Sequence, residues 1–366
     1  MRVLLLFSSS ELGGAERSLS RMAFSSRKID WTLATLSGEG LWCDWARSMG
    51  FEPLILGRSA VSTGLMLTSF IRLFWYLYLN HIDLIYVCGF RASLVLRFFK
   101  IFFPSIKIVH GVRWNPDSKN IRDRTFRLAE RLTYPLIDAW ITNSEVARQT
   151  LIKNCAIPAS RVCKIYNGLD LNFYLKKIVP LYERPFNIVT VANLHFAKGH
   201  LQYLDVIKKV IKIVPAARFF FIGRDDMGGE VQRAIKNLQL EKFVKYEGFK
   251  EDVSPWLKEA RLFVLPSLNE GSPTALLEAM SFGVPCVAFR VGGVSELFAE
   301  KGHGYLIESG DYEGLVDRII FLLNNEHVAS QQAAIGKNHV VSHFDVKITE
   351  NKHFMLFTTL LSRKNF

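Results

Sequence analysis

The sequence predicts an α/β protein made of two doubly wound, Rossmann-like domains. Its 366 residues are too many for a typical single core, and 49% of them are hydrophobic, which is ample for two. In both halves of the chain, short apolar runs alternate with amphipathic stretches, which is the pattern of repeated βαβ units. The pattern lapses over residues 171–185 and then restarts, so we predict one domain on each side of this segment.

The first half of the chain is predicted to form six strands with helices between them. Its opening run, residues 1–7, is too short for the hydrophobic region of a signal peptide and is interpreted as a strand. The strands are predicted at residues 3–7, 31–36, 53–56, 84–87, 107–109 and 139–142. The helices are predicted to begin near Ala15, Trp42, Leu65, Ala92 and Ile121.

The second half repeats the alternation of strand and helix patterns. Its strands are predicted at residues 187–191, 218–222, 244–246, 262–265 and 284–289. Its helices are predicted at residues 201–213, 231–238, 253–260, 274–282, 295–298, 312–324 and 344–361. The domains are therefore predicted at 1–178 and 184–344, followed by a C-terminal helix within 345–366.

The net charge of +12 is concentrated in the first half of the chain. Residues 1–180 contain 24 Lys and Arg against 13 Asp and Glu, whereas the remainder is nearly neutral. This asymmetry favours an anionic partner such as a membrane surface, a lipid pyrophosphate or a nucleic acid; a domain that is simply basic is the alternative. Because the basic residues do not form a recognisable RNA- or DNA-binding module, we expect no nucleic acid partner.

Two segments of the first half mix aromatic and basic residues in a way that suits a membrane surface. Residues 64–79 form the most apolar stretch, and residues 91–103 place three basic side chains among Leu, Phe and Ile. The first segment is shorter than the roughly 20 residues of a spanning helix, so we expect contact with the interface of an anionic bilayer. The alternative is a core helix with an arginine-rich outer edge.

The five cysteines are scattered along the chain and form no C-x-x-C pair. Neither a disulfide framework nor a zinc site is predicted from this spacing. A reducing compartment is therefore the expected location, which makes the protein cytoplasmic.

The strongest chemical signal is the segment of residues 265–285. A strand is predicted to end where this segment starts, and a helix is predicted to begin at about Pro273 with Ser272 as its N-cap. The amides and positive dipole end of such a helix form a phosphate site at the carboxyl edge of a sheet. Glu270 and Glu278 are expected to hold hydroxyl groups of the same ligand; the alternative is that they only offset the helix dipole.

Three segments with glycines are further candidates for binding an anion. In the second half, Gly199 would let the backbone approach a pyrophosphate and Lys198 would supply a mobile positive charge, unless Lys198 is only a solvated lysine at a helix start. The glycine pair at 292–293 precedes a predicted helix and is either an anion cradle or a tight turn. The pair at 13–14 follows the first strand but is not a full G-x-G-x-x-G, so it is a weak nucleotide fingerprint.

In their order along the chain, these motifs resemble those of the family 4 glycosyltransferases. They run collinearly over almost the whole chain, and the E-x7-E block of Glu270 and Glu278 is highly specific. The other matching pieces are Gly13-Gly14-Ala15-Glu16, Val109-His110-Gly111, Thr142-Asn143-Ser144-Glu145, Ile165-Tyr166-Asn167-Gly168-Leu169-Asp170, Lys198-Gly199-His200, Phe221-Ile222-Gly223, Glu247-Gly248-Phe249 and Val291-Gly292-Gly293 with Glu296. The resemblance implies GT-B architecture, in which two Rossmann-like domains face an interdomain cleft and a C-terminal helix crosses back to the N-terminal domain.

The resemblance also implies which residues bind the donor, a nucleotide-diphosphate sugar. Glu270 would hold the transferred sugar, Lys198 would neutralise the leaving diphosphate, and His110 matches a family histidine that lies close to the sugar. These three are the predicted catalytic residues. The predicted donor-binding residues are Gly14, Asn193, Lys198, Gly223, Phe249, Gly271, Ser272, Thr274 and Glu278, of which Glu278 would hold the ribose.

The chain departs from the family pattern at one position of this site. Asn193 stands where the family usually has arginine, one half of a cationic clamp. Lys198, the helix dipole and Arg224 are then left to stabilise the departing negative charge. The resemblance implies retention of the anomeric configuration, with no metal and no cofactor.

We therefore predict a retaining glycosyltransferase that uses a UDP-sugar in preference to a GDP-sugar. It would move a hexose or N-acetylhexosamine to a lipid-linked or oligosaccharide acceptor in cell-envelope polysaccharide synthesis. We expect it to lie peripherally on the inner face of the cell membrane, which it would contact through the basic N-terminal domain. The alternatives are a catalytically weakened GT-B binding protein at the membrane, suggested by Asn193, and a sugar-nucleotide epimerase.

Overall fold

The computed structural model describes residues 1–58, 67–114, 121–171, 179–298 and 304–362. The chain divides into two compact units, each with its own parallel sheet. Unit 1 comprises Met1–Gly168 and Val346–Phe366, and unit 2 comprises Leu169–Asp345. The α/β class and the two doubly wound sheets that the sequence predicts are confirmed.

Unit 1 is built on a seven-stranded sheet in which all neighbouring strands are parallel. The strands are β1 (Arg2–Phe7), β2 (Asp30–Thr35), β3 (Leu54–Ile55), β4 (Leu84–Cys88), β5 (Lys107–Val112), β6 (Ala139–Thr142) and β7 (Val162–Lys164). Their order across the sheet is β3-β2-β1-β4-β5-β6-β7. The strands β1, β4 and β5 are almost wholly apolar because helices cover both faces of the sheet.

In the described part of the chain, six α-helices connect the strands of unit 1. They are α1 (Gly14–Ser25), α2 (Leu41–Ser48), α3 (Leu67–Leu79), α4 (Phe90–Phe99), α5 (Ile121–Thr133) and α6 (Glu145–Asn154). Because crossovers between parallel strands are right-handed, this strand order places α1 and α2 on one face of the sheet and α3 to α6 on the other. One hydrophobic cluster accordingly joins buried side chains of α3, α4, α5 and α6 to the sheet.

Unit 2 is built on a six-stranded parallel sheet with the order β10-β9-β8-β11-β12-β13. Its strands are β8 (Asn187–Val191), β9 (Arg218–Ile222), β10 (Val244–Gly248), β11 (Ala260–Leu265), β12 (Cys286–Arg290) and β13 (Tyr305–Glu308). Its helices are α7 (His200–Ile213), α8 (Glu230–Asn237), α9 (Ser254–Glu259), α10 (Thr274–Ser281), α11 (Tyr312–Asn324) and α12 (Glu326–His343). Short 3-10 helices in the described chain include Tyr134–Leu136, Ala159–Arg161, Leu181–Glu183, Phe196–Lys198 and Val294–Leu297.

The last helix, α13 (Val346–Ser362), returns to unit 1. Its buried Phe357 packs edge-on against Trp31 and Tyr86 of that unit, with ring centroids 6.1 and 5.8 Å apart. Thr349 donates a hydrogen bond to the carbonyl oxygen of Tyr166. Apolar packing and polar contacts therefore both anchor this helix on unit 1.

The predicted elements match the observed ones closely in the interior of each sheet. The sequence patterns did not reveal the edge strands β7 and β13, which have three and four residues, or the helices α6 and α12. The chain divides after Gly168, ten residues before the predicted end of the first domain, because Leu169 already pairs with Asp345 of unit 2. The predicted helix start near Leu65 and residues 172–178 of the predicted linker lie outside the described residues.

No helix in the described part of the chain combines the length and the apolar character needed to cross a bilayer. The segment over residues 64–79 that the sequence singled out contributes the thirteen-residue helix α3. At about 1.5 Å per residue, a helix of this length is much shorter than the roughly 30 Å hydrocarbon layer.

Candidate functional site

The strand order of unit 2 creates a crevice at the carboxyl ends of two neighbouring strands. From β8 the chain continues towards β9, whereas from β11 it continues towards β12 on the other side. The loops that follow β8 and β11 therefore diverge, and ligands of open α/β sheets bind at such a topological switch point. These two loops contain Lys198 and Glu270.

The ammonium of Lys198 and the carboxylate of Glu270 form an ion pair in this crevice. The Lys198 Nζ to Glu270 Oε1 distance is 2.8 Å, although the residues are 72 positions apart in the chain. About a quarter of the Lys198 side chain is exposed, but only 9% of the Glu270 side chain is. The structure thus brings together two of the predicted catalytic residues.

The backbone around Lys198 fixes this position. Lys198 ends a 3-10 turn in which the His195 side chain accepts a hydrogen bond from the Ala197 amide. Gly199 follows in the left-handed conformation (φ 69°) and is the N-cap of α7. A Cβ atom on Gly199 would lie 2.1 Å from the carbonyl oxygen of Pro266, so only glycine permits this contact between the two loops.

A third loop closes on Glu270 from the other side. Gly292, after β12, has a φ of 50°, and a Cβ atom there would lie 1.8 Å from the Glu270 carbonyl oxygen. The Gly293 amide donates a hydrogen bond of 3.0 Å to the Gly271 carbonyl oxygen. The glycine pair at 292–293 therefore packs on the backbone of the Glu270 loop and holds it in place.

Helix α10 begins at Thr274, the start of the predicted range 274–282, but its cap differs from the predicted one. Pro273, predicted as the first helical residue, is the N-cap, with a ψ of 112° that is extended rather than helical. Ser272, predicted as the N-cap, precedes it and is buried. Thr274 is the first helical residue, and the N-cap Pro273 makes no side-chain hydrogen bond to this end. The first amides of a helix have no partner within the helix and can bind an anion.

Glu278 lies in the second turn of α10. It is buried, with 6% of its surface exposed, although acidic side chains are seldom buried. Because it follows Thr274 by four residues, it lies on the same side of the helix, close to the N-terminal end that the loop of Glu270 leads into. The two glutamates of the E-x7-E block thus lie before and just inside the same helix.

The loops after β8 and β9 are joined at Asn193. Its side-chain oxygen accepts a hydrogen bond of 3.1 Å from the Arg224 amide, and the Leu194 amide donates one to the Arg224 carbonyl oxygen. Gly223 precedes Arg224 with a φ of 159°, and a Cβ atom there would lie 2.2 Å from the Ala192 carbonyl oxygen. Asn193 therefore positions the loop of Arg224. The sequence analysis noted only that an asparagine stands where the family has arginine and did not predict this contact.

Phe249, one of the predicted donor-binding residues, follows β10 at the outer end of this group of loops. It is half-buried. The Tyr246 hydroxyl of β10 donates a hydrogen bond of 2.9 Å to the Gly223 carbonyl oxygen, and the Gly223 amide donates one to the Gly248 carbonyl oxygen. The loops after β8, β9 and β10 are therefore hydrogen-bonded side by side along one edge of the sheet.

His200 is a neighbour of the ion pair that the sequence analysis did not assign to the site. It is the first residue of α7, is buried, and packs against Phe221 with ring centroids 5.1 Å apart. Burial, together with the positive charge of Lys198, lowers the pKa of His200 to about 4. The imidazole is therefore neutral near pH 7. Only its position two residues after Lys198 could have indicated from the sequence that His200 lies near the site.

The two predicted site residues of unit 1 are differently placed. Gly14 is exposed and is the first residue of α1, directly after the N-cap Gly13. His110 is completely buried within β5, where its Nδ1 lies 2.9 Å from Glu130 Oε1. The contact with a sugar that the resemblance implies for His110 is not supported, because its imidazole has no exposed surface and is committed to a carboxylate.

His110 belongs to a buried network of polar and charged side chains. Arg97 of α4 lies 2.5 Å from the same Glu130 carboxylate, and Trp140 donates a hydrogen bond to its other oxygen. Burial raises the pKa of Glu130, but His110, Arg97 and the Trp140 hydrogen bond lower it by more, so that it is lowered overall. This network connects β5, β6, α4 and α5, and a structural role of His110 accounts for its position.

Within the described residues, no group of three His, Cys, Asp or Glu side chains is arranged to hold a metal ion. The candidate site is instead made of one ion pair, loop amides and a helix N-terminus, all at the carboxyl edge of the unit 2 sheet.

Comparison with known proteins gives matches over most of both units. The family described as Glycosyltransferase Family 4 matches residues 12–173, and the one described as Glycosyl transferases group 1 matches residues 185–325. The solved structure of Anabaena HepE in complex with UDP and glucose covers 98% of this chain and 100% of its own, with a TM-score of 0.84 and 20% sequence identity. This likeness shows the shared fold, the GT-B architecture that the resemblance implied.

Two curated relatives match parts of the chain. The N-acetyl-alpha-D-glucosaminyl L-malate synthase of Bacillus anthracis is 28% identical over 57% of this chain and 56% of its own length. The UDP-Gal:alpha-D-GlcNAc-diphosphoundecaprenol alpha-1,3-galactosyltransferase of Escherichia coli is 26% identical over 66% of this chain and 65% of its own. The chain thus matches less than two thirds of the length of either relative.

Proposed function

Since the chain belongs to the family 4 glycosyltransferases, we propose that it transfers a hexose or N-acetylhexosamine from a UDP-sugar to a lipid-linked or saccharide acceptor in cell-envelope polysaccharide synthesis. The printed donor of the Escherichia coli relative and the UDP bound to HepE support UDP over GDP. The acceptor of that same relative, a diphosphoundecaprenol-linked sugar, supports a lipid-linked acceptor.

The observation that carries this proposal is the Lys198–Glu270 ion pair at the topological switch point of unit 2. The diphosphate of the donor would bind the Lys198 ammonium and the first amides of α10, because both supply positive charge to the same crevice. Glu270, released from the lysine, would accept hydrogen bonds from the sugar, and Glu278 would accept them from the ribose. Binding therefore exchanges one ion pair for another.

The same arrangement supports a reaction mechanism. Once the bond from the anomeric carbon to the diphosphate breaks, negative charge grows on the leaving oxygen, and Lys198 and the helix amides stabilise it in place. We propose that the departing diphosphate takes the proton of the attacking acceptor hydroxyl, which enters on the face that the diphosphate leaves. The anomeric configuration is then retained, and neither a protein nucleophile nor a metal is required.

We also propose that the protein works at the cytoplasmic face of the cell membrane. A lipid-linked acceptor is held in a bilayer, and the basic character of unit 1 suits an anionic membrane surface.

The test is a transfer assay with a panel of UDP- and GDP-sugars and lipid-linked acceptors, with and without EDTA. We expect transfer from a UDP-sugar that EDTA leaves unchanged, and a product with the anomeric configuration of the donor. Loss of transfer in EDTA would contradict the metal-free mechanism. Binding of UDP without transfer or hydrolysis of any donor would instead favour a weakened binding protein, the second candidate, which rests on Asn193 in place of arginine.

A further inference from the structure

Unit 1 exposes an unusual concentration of large hydrophobic side chains on one face. Of the 19 such side chains that are exposed in the described part of the chain, 10 belong to α3, α4, α5 and the turn after α4. The largest group forms what we call the α3–α4 face, made of Leu67, Ile71, Trp75, Tyr78, Phe98, Ile101 and Phe102. More than half of each aromatic side chain in this group is exposed, so no part of the chain that the structure describes covers the face.

The residues of the α3–α4 face are contiguous. Leu67, Ile71, Trp75 and Tyr78 follow one another at intervals of three or four residues, so they form a stripe along one side of α3. Phe74 connects this stripe to the turn after α4, because its ring contacts both Trp75 and Phe102, at 6.2 and 5.5 Å between centroids.

The exposed charges on α3, α4 and α5 have one sign in the part of the chain that the structure describes. Among the described side chains of these helices, four arginines are exposed, namely Arg72, Arg91, Arg124 and Arg131. The only carboxylates of these helices are Asp123 and Glu130, and both are buried. Helices that present aromatic and aliphatic groups and cations, with no exposed carboxylate of their own, are complementary to an anionic lipid interface.

The face rests on a rigid base. The buried ion pair of Arg97 with Glu130 ties α4 to α5, and Phe70 and Phe74 of α3 pack against Phe99 of α4. The exposed side chains are therefore presented by three packed helices and do not need to be ordered on binding.

From these observations we infer that the α3–α4 face docks on a bilayer that contains anionic phospholipids, with Trp75, Tyr78 and Phe102 inserted at the level of the headgroups. This inference deepens the membrane location proposed above but does not depend on the transfer reaction. Trp and Tyr are suited to this depth because they combine an apolar ring with a polar group. A second copy of the chain is a poorer occupant, since a symmetric pairing of this face would bring arginines together without carboxylates to neutralise them.

The inference is tested by flotation of the full-length protein with two kinds of vesicle, phosphatidylcholine alone and phosphatidylcholine mixed with phosphatidylglycerol. We expect binding to the mixed vesicles and at least ~10-fold weaker binding to the neutral ones, because each cation near an anionic surface contributes roughly fivefold. The double variant Trp75→Ser/Phe102→Ser should lower binding to the mixed vesicles by ~10-fold or more. The variant Arg124→Gln/Arg131→Gln should also bind more weakly and lose part of its salt dependence.

The matched control is Ile213→Ser/Met355→Ser, which removes two side chains that are equally exposed on other surfaces and should bind as the wild type does. Thermal stabilisation by UDP, retained in the Trp75→Ser/Phe102→Ser variant, would show that this variant is folded. Equal binding of the wild type to both kinds of vesicle, or wild-type binding by that variant, would overturn the inference. So would a lipid-free dimer that the same variant abolishes. Vesicle binding by a protein that shows no stabilisation by UDP would uphold the inference while contradicting the proposed function.

Discussion

The Lys198 ammonium lies 2.8 Å from the Glu270 carboxylate, so the two groups neutralise each other in the unliganded protein. Under the proposed function, a diphosphate that binds the lysine must break this pair, and the carboxylate that it releases would then lie beside the transferred sugar. The ion pair would thus hold both charged groups where the proposed donor needs them. The pair also offsets the free-energy cost of burying the Glu270 carboxylate, of which only 9% of the side chain is exposed.

The first prediction concerns Lys198 itself. Replacing it by alanine removes the mobile charge at the leaving diphosphate and leaves Glu270 buried without its partner. We expect kcat to fall by ~10²–10³-fold, the range found when one group that stabilises a developing negative charge is removed. The measurement is the initial rate of transfer from a UDP-sugar.

A matched control is available in the same unit. Lys209 of α7 forms an ion pair with Glu313, but both side chains are largely exposed. Exposed pairs contribute little, so Lys209→Ala should leave the rate of transfer unchanged. Equal rates for the Lys198→Ala and Lys209→Ala variants would remove Lys198 from the mechanism.

The second prediction concerns Arg224, whose loop is held by Asn193. If Arg224 supplies the positive charge that the expected arginine at 193 would have given, Arg224→Gln should lower kcat by ~10-fold or more, since a guanidinium stabilises a departing diphosphate. Arg233→Gln, an exposed arginine of α8, is the control and should have no effect. An unchanged rate in the Arg224→Gln variant would show that Lys198 and the helix amides suffice.

The third prediction separates backbone strain from a steric clash at Gly292. An alanine there must adopt a φ near 50° and would also meet the Glu270 carbonyl oxygen at 1.8 Å. Gly283 has a similar φ of 62°, but nothing lies within 4 Å of the position of its Cβ. Gly283→Ala should therefore cost only the about 1–2 kcal/mol of a left-handed alanine in the free energy of unfolding.

Gly292→Ala should cost more than this in stability, and it should also reduce transfer, because the displaced loop contains Glu270. Denaturant unfolding and the transfer assay measure the two effects separately. If both alanine variants lost the same stability and kept full activity, the contact of Gly292 with the Glu270 loop would not position the site.

The sequence allowed the interior of both sheets to be predicted almost residue by residue. Strands β8 and β9 have the predicted bounds, because each begins with a polar residue and continues as a mainly apolar run, which is the pattern of a buried parallel strand. The edge strands β7 and β13 are short and half-exposed, so they lack such a run. These two strands form because they hydrogen-bond to the neighbouring strands β6 and β12, and not because of a pattern in their own residues.

The parts of the site that depend on local turns and helix caps could be predicted from the sequence. The parts that depend on contacts between side chains far apart in the chain could not. The loop of Glu270, the helix α10 and the glycine that follows Lys198 agree with strand, turn and cap patterns. The contact of His110 with a carboxylate could not be foreseen, since Glu130 and its second partner Arg97 lie on the helices α5 and α4, apart from β5 in the sequence. For the same reason, no local pattern indicated that Asn193 would hold the Arg224 loop.

The fourth prediction concerns stability in acid. Burial lowers the pKa of His200 to about 4, and that of His353 on α13 to about 3 with Arg113 as a second cause, against 6.5 for an ordinary histidine. Below pH 6.5 the unfolded chain binds protons that the folded chain does not, so stability falls as the pH decreases towards these values. Each histidine contributes up to about 1.4 kcal/mol per pH unit in this window.

Hydrogen exchange at pH values on either side of 6.5 checks this for each unit. His353→Phe should flatten the acid dependence in unit 1, and His200→Phe should flatten it in unit 2. The control is His327→Gln, which replaces an exposed histidine. Acid dependence that persists in both phenylalanine variants would mean that other groups cause it.

The fifth prediction concerns the anchoring of α13 on unit 1. Phe357 is fully buried against Trp31 and Tyr86, whereas Met355, two residues earlier, is 68% exposed on the same helix. Phe357→Ala removes an aromatic side chain from a packed interior and should lower the free energy of unfolding of unit 1 by about 3–5 kcal/mol. Met355→Ala alters the same helix outside the core and should change it by less than about 0.5 kcal/mol.

Denaturant unfolding combined with hydrogen exchange of α13 measures both variants, and the outcome bears on the whole of unit 1. Since α13 covers the α1 side of the sheet, its release would expose Trp31 and Tyr86 to water and leave that face of the sheet incompletely covered. A chain that ends before Asp345 should for this reason lose the stability of unit 1 as well as the transfer activity. If Phe357→Ala were no more harmful than Met355→Ala and the shortened chain kept its stability, the helix would not be part of the core of unit 1, and its burial there would have to be explained in another way.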